Sequence, residues 1–155
     1  MTTNSAHAVE VGSMPQENLQ RLESLRHEGH PQCMACTHAE YRLEFELETP
    51  QVLVAHVEFT DEMTSFNHMV HGGLQSFLID QAMTCALMGL GIYGATCELT
   101  LRYRSSVEVG LPAKIRVWVE KRYRTLYDVK AELIQNETVR TFGSARFLKQ
   151  TLAVS

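Results

Sequence analysis

The chain has 155 residues, 45% of them apolar, and a formal net charge of −4 at pH 7. That length suits one domain with one sizeable core, and the apolar share excludes global disorder. The acidic balance gives no general attraction to nucleic acid or to an anionic membrane, although a local basic cluster can still hold one anionic ligand.

The first 14 residues are small, polar and without periodicity, which predicts a flexible segment. They contain no basic start followed by an apolar run, so no secretory signal is expected. Cys33, Cys36, Cys85 and Cys97 do not form a dense disulfide framework, and they read as reduced thiols of a cytoplasmic protein. Pro15 can open a helix running to about Arg26, with Leu19, Leu22 and Leu25 at helical spacing. Gly29 and Pro31 then end it. Residues 15–150 are expected to form one domain, with this helix and a Cys-x-x-Cys lead-in over 15–40.

From Tyr41 the period changes. Arg42 to Glu48 alternates polar and apolar, the pattern of a strand with one buried face. Thr49-Pro50 marks a turn, and Gln51 to Phe59 alternates again with Leu53, Ala55, Val57 and Phe59 on one side. The two read as a hairpin. Asp61 to Val70 is a loop. Gly72-Gly73 then opens a run to Met88 that is rich in helix formers and apolar on nearly every face. Such a helix must be enclosed by the rest of the protein. Gly89, Gly91 and Gly94 end it. The most apolar stretch, Leu74 to Cys97, holds Asp80, Gln81 and three glycines, a composition that argues against a bilayer span.

Four strands follow. Thr96 to Arg104 places Cys97, Leu99, Leu101 and Tyr103 inward, with Thr96, Glu98, Thr100, Arg102 and Arg104 outward. Then come Lys114 to Glu120, Leu126 to Ile134 and Val139 to Leu148, with turns at Gly110-Leu111-Pro112 and Gln135-Asn136. Short connections predict antiparallel neighbours within this group. The fold class is α+β, one enclosed helix against one antiparallel sheet. Open sheet edges invite pairing with a second copy.

His71-Gly72-Gly73 and Asp80 carry the candidate chemistry. Glycines at a helix start let a ligand approach the backbone closely. First-turn N–H groups lack helical partners and sit at the positive end of the helix dipole. They can stabilise a carbonyl oxygen as it becomes an oxyanion. The plainer alternative is a tight turn with no ligand. Asp80 stands in the third turn, past the reach of dipole stabilisation. It can serve as general base on water or as nucleophile; the alternative is a hydrogen-bonded structural carboxylate near an interface. Eight residues at ~1.5 Å rise separate Gly72 from Asp80 by roughly 12 Å. Both can act on one carbonyl only if they come from two copies of the chain.

The run from Asn67 to Ala82, with His-Gly-Gly and an Asp nine residues after the His, resembles the signature of the PaaI-like hotdog thioesterases. Gly94 to Tyr103, and Val107 through Gly110 to Val119, resemble the segments that follow it in that family. His30-Pro31-Gln32-Cys33-Met34-Ala35-Cys36 resembles a lead-in of some bacterial members. The resemblance implies a hotdog fold and hydrolysis of acyl-CoA, or of acyl-carrier-protein thioesters, by a homodimer or homotetramer that needs no cofactor. It makes Asp80 the base or nucleophile, Gly72 the oxyanion donor from the other subunit, and Thr96 a hydroxyl that orients the attacking water. His71 and Gly73 complete the helix start.

Two departures stand in the loop. Many relatives carry Asn six residues before the His, where this chain has Ser65; Asn67, two residues on, is the preferred substitute. His68 occupies a position where relatives often have Gly, and it can narrow the pocket, carry a proton or simply face solvent. Arg102 and Arg104 are candidate partners for CoA phosphates, or else a solvated strand edge. Lys121, Arg122 and Arg124 read more readily as a solvated turn. His27, His30, Cys33, Cys36 and His38 offer zinc-type ligands, but they are crowded and lack a second Cys-x-x-Cys, so no metal is assigned. The competing functions are a non-catalytic acyl-CoA-binding or interaction protein on the same scaffold, and an acyl-thioester dehydratase.

Overall fold

The computed structural model describes residues 16–151; the segment 1–14 and Pro15 lie outside them. The elements are α1 (Glu17–Gly29), α2 (Met34–Thr37), β1 (Phe45–Thr49), β2 (Val52–Glu58), a 3-10 turn (Asp61–Met63), α3 (Gly72–Gly89), β3 (Gly94–Tyr103), β4 (Pro112–Tyr123), β5 (Leu126–Gln135) and β6 (Thr138–Lys149). The sequence pattern anticipates all of these except α2 and the 3-10 turn, which are too short to leave a pattern. β1 starts three residues later than its alternation suggests. The Arg42 side chain there donates to the Cys36 carbonyl (2.8 Å) and to Glu44 (2.6 Å), which ties the approach to β1 onto α2.

The six strands form one antiparallel sheet in the order β1-β2-β4-β5-β6-β3. One expectation is corrected here: β3 neighbours β6, not β4. Tight turns join β4, β5 and β6 consecutively. The Asn136-Glu137 turn has positive φ at both residues (48° and 58°), the backbone that matches the twist of a two-residue hairpin. With β2 on one flank of β4 and β5 on the other, β4 has no open flank, and β3 pairs instead with the free edge of β6. The segment from Arg104 to Leu111 therefore crosses the end of the sheet, burying Val107 on the way.

Helix α3 lies against the sheet. Ile79, Met83 and Leu87, spaced by four, are fully buried beneath it, each burial contributing about 1.5–3 kcal/mol. The helix closes in a Schellman turn: Gly91 has φ 77°, its N–H donates to Met88 O, and the Ile92 N–H donates to Leu87 O. Its enclosure is incomplete, which corrects the sequence expectation. Eleven of its 18 residues are buried, but Gly73 is exposed and Ser76, Phe77, Asp80 and Thr84 are half-buried, so one stripe stays open. Gly143 of β6 is the close-approach point. A Cβ there would lie 2.9 Å from Ile79 Cγ2, 3.0 Å from Met83 Cε and 3.1 Å from Leu101 Cδ2. Gly143→Ala should therefore destabilise the protein by about 1–3 kcal/mol through overpacking, read as a lower urea midpoint at unchanged m-value.

Candidate functional site

The start of α3 is built by its own residues. His71 is the N-cap; its Nδ1 accepts from the Gly73 N–H at 2.9 Å, which satisfies one orphan donor and fixes the ring. The Leu74 and Gln75 N–H groups both donate to the His71 carbonyl. The Gly72 N–H has no hydrogen-bond partner among the described residues. The Tyr103 hydroxyl donates to the Gly72 carbonyl at 2.9 Å. Partial burial raises the Tyr103 phenol above its ordinary value, so it stays a donor. Sequence reasoning placed Tyr103 on the inner face but gave it no part in the helix start. Its alternation signalled the face, and nothing local signalled the contact.

Buried polar groups hold this end in place. Thr141 Oγ1 donates to Gln75 Oε1 at 2.6 Å, and Gln75 Nε2 donates to the Val70 carbonyl at 3.2 Å. The Val70 N–H donates to Val107 O, and Val109 N–H to His68 O. Residues Thr64 to Val70 thus form a small hairpin, closed by the Thr64–Val70 bridge and braced by the crossing segment 104–111. Ser65, Asn67 and His68 are all exposed on it. The Met69 N–H donates back to the Phe66 carbonyl, closing a turn in which His68 has φ 60°. That backbone favours glycine, so the imidazole stands where the turn itself would prefer no side chain. Phe66 is 73% exposed at its tip. Met83 and Met88 are fully buried core, whereas Phe77 is half-buried with Tyr41 edge-on to it at 5.4 Å.

The other end of the stripe carries Asp80. Thr96 Oγ1 donates to Asp80 Oδ1 at 2.7 Å, and Thr84 Oγ1 donates to the Asp80 carbonyl at 3.0 Å. Strict alternation put Thr96 outward and Cys97 inward; the structure reverses the first and exposes the second. Thr96 pairs with Phe147 and Glu98 with Arg146, which leaves Cys97 as the extra residue of a β-bulge. The bulge resets the side-chain parity, so Leu99 and Leu101 keep the inner face while Thr96 joins it and meets Asp80. Arg102 and Arg104 lie on the opposite sheet face from Tyr103, with the Arg104 guanidinium 5.6 Å over the Phe142 ring. One chain therefore brings Asp80 and Thr96 together at one end of the open stripe, and gathers His71, Gly72, Gly73 and Tyr103 at the other.

A long helix laid on an antiparallel six-stranded sheet in this order is the hotdog fold. Residues 67–141, just under half of the chain, match the model of the Thioesterase superfamily. It is 26% identical over 102 residues to mouse acyl-coenzyme A thioesterase 13, covering 64% of this chain and 73% of that one. Among solved structures, Escherichia coli PaaI, from the phenylacetic acid degradation operon, superposes with a TM-score of 0.72 at 14% identity, over 85% of this chain and 95% of that one. A hypothetical thioesterase from Streptococcus pneumoniae, solved with coenzyme A, gives 0.65 at 16% identity, over 70% and 89%. That protein has also been solved with an aspartate and, separately, a threonine replaced by alanine, the two positions 16 residues apart. Among the described residues, no helix is long and apolar enough to cross a membrane.

Proposed function

We propose that this protein hydrolyses an acyl-CoA thioester to the free acid and CoA at sites shared between two copies of the chain. The observation that carries the reading is the Asp80–Thr96 pair at one end of the open α3 stripe, with the unpartnered Gly72 N–H at the other. Neither end suffices alone, being about 12 Å apart along the helix. A two-fold axis beside Ser76, midway between them, would set the Gly72 of one copy against the Asp80 of the other. The free edge of β3, ten residues long, offers the surface for such pairing.

In the proposed reaction Thr96 holds Asp80 and orients a water beside it. Asp80 takes a proton as the water oxygen attacks the thioester carbonyl. The developing oxyanion is held by the Gly72 N–H of the second copy, an interaction stronger in the transition state than in the ground state. Collapse expels the CoA thiolate, which takes up a proton. Covalent attack by Asp80 itself uses the same geometry. The nucleotide end of CoA would extend across the β3 edge toward Arg102 and Arg104, whose guanidinium groups suit phosphate. The Asp-to-Thr interval of 16 residues here equals that between the residues replaced in the S. pneumoniae protein, which supports pairing the two side chains in one role.

The direct test is a panel of short-chain, long-chain and aromatic acyl-CoAs with thiol release followed by a trapping reagent. Catalytic turnover on at least one is expected. Saturable binding with no thiol release across the panel would favour the acyl-CoA-binding alternative. Hydration of an enoyl-CoA without free thiol would favour a dehydratase.

A further inference from the structure

The Cys/His segment, to which the sequence reading assigns no metal, acquires a definite geometry once folded. His30 follows the last residue of α1, Cys33 caps the start of α2, and Cys36 lies within it. One ring nitrogen of His30 and the two sulfurs all lie within 4.8 Å of one another. A tetrahedral zinc, with Zn–S about 2.3 Å and Zn–N about 2.0 Å, holds its donors roughly 3.5–3.8 Å apart. Closing the set shortens these separations by about an ångström.

Three further features point to a ligand here. His30 Nδ1 is buried and has no hydrogen-bond partner among the described residues, an arrangement that otherwise costs free energy. The Cys36 sulfur also accepts an N–H from buried Gln81 at 3.2 Å. Buried Arg26 stands beside it with Nε and Nη2 unpartnered, its Nη1 bonded to Glu23 at 3.0 Å. A neutral thiol is a weak acceptor; one N–H donor and a neighbouring guanidinium suit a thiolate. Finally, a cavity of about 180 Å³ adjoins the cluster, its wall including His27, His30, Cys36 and Arg42.

We propose that His30, Cys33 and Cys36 form a binding site for a thiophilic divalent cation, zinc in the first instance, with the fourth position taken by water from the adjoining cavity. Two thiolates balance the charge of the ion, and the sulfurs supply the acceptors that Arg26 lacks. Burial pushes the Cys85 thiol up to about 12, so this nearby cysteine stays protonated and takes no part. Cys97 is exposed on the β3 bulge, and His27 and His38 fall outside the three-ligand cluster. Bound there, the ion staples the end of α1 and α2 to α3 through Gln81. A redox dithiol made of Cys33 and Cys36 would leave the buried His30 nitrogen unexplained.

The test uses the full chain, reduced, stripped with a chelator and titrated with Co²⁺ alone. One cobalt per chain is expected, with a thiolate-to-cobalt charge-transfer band, the intense visible bands of tetrahedral cobalt, and displacement by Zn²⁺. Cys33→Ser and His30→Gln should each weaken binding by about tenfold or more, while Cys97→Ser changes nothing. Both informative positions are half-buried, so these variants should keep the wild-type circular dichroism, which is measured alongside. Cys36 is buried and its variant is not needed for the decision. Absence of the charge-transfer band in folded wild-type protein, or binding unchanged by the His30 and Cys33 substitutions, overturns the site. So does a Cys33–Cys36 disulfide formed in air with zinc present. None of these readouts depends on thioester hydrolysis.

Discussion

Asp80→Asn should lower the release of CoA thiol by about 10²–10⁴-fold, the usual range for loss of a positioned general base, or about 3–5 kcal/mol in the barrier. The substitution is nearly isosteric, and the amide oxygen can still accept the Thr96 hydroxyl that now reaches Asp80 Oδ1 at 2.7 Å. Asp80 is also half-buried on the open stripe, not in the closed core. The variant should therefore keep its thermal midpoint and its circular dichroism while losing kcat. Asp80→Ala should lose as much activity. Full turnover in the alanine variant would remove Asp80 from the mechanism, and unfolding of both variants would instead mark it as structural.

The second large effect concerns one backbone N–H. Gly72 is the first residue of α3, a position where proline is well tolerated because its missing N–H would have no helical partner. The preceding His71 has φ −57° and ψ 128°, the extended backbone that a following proline requires. A Cβ on Gly72 would rest 3.5 Å from the Tyr103 ring, an ordinary contact. Gly72→Pro thus deletes the N–H with little change elsewhere, and kcat should fall by about 10²–10³-fold, as for loss of an oxyanion donor. Gly72→Ala keeps the N–H and should keep most of the activity. Because Asp80 and Gly72 are proposed to act from different copies, two inactive variants should complement each other. After co-expression of Asp80→Asn with Gly72→Pro, half the dimers are mixed and each mixed dimer has one intact site, so activity should return to about a quarter of wild type. No recovery on mixing would mean that both groups act from one copy, against the shared site.

What the sequence determined by itself is local. A run of helix formers apolar on nearly every face located α3, a two-residue period located five of the strands and most of the sixth, and the His-Gly-Gly start marked where the helix begins. These signals survive folding because each depends on neighbours a few residues apart. The spacing of Gly72 and Asp80 along one helix was enough, without any tertiary contact, to require a second copy if both are to act together.

Only the tertiary structure decided the rest, and in each case a distant segment did so. β3 sits beyond β6 rather than beside β4 because β2 and β5 occupy both flanks of β4. The bulge at Cys97 is created by pairing with β6, and it turns Thr96 from the outer face onto Asp80. Strict alternation cannot anticipate this, since one extra residue shifts every side chain before it to the other face. The positive φ of His68 and the bond from Tyr103 to Gly72 likewise arise where the 64–70 hairpin, the crossing segment and α3 meet. The helix start that the sequence marks so clearly is therefore only a frame. Its free N–H, its cap and its distance from Asp80 are local facts, but the residues that face it are chosen by strand order.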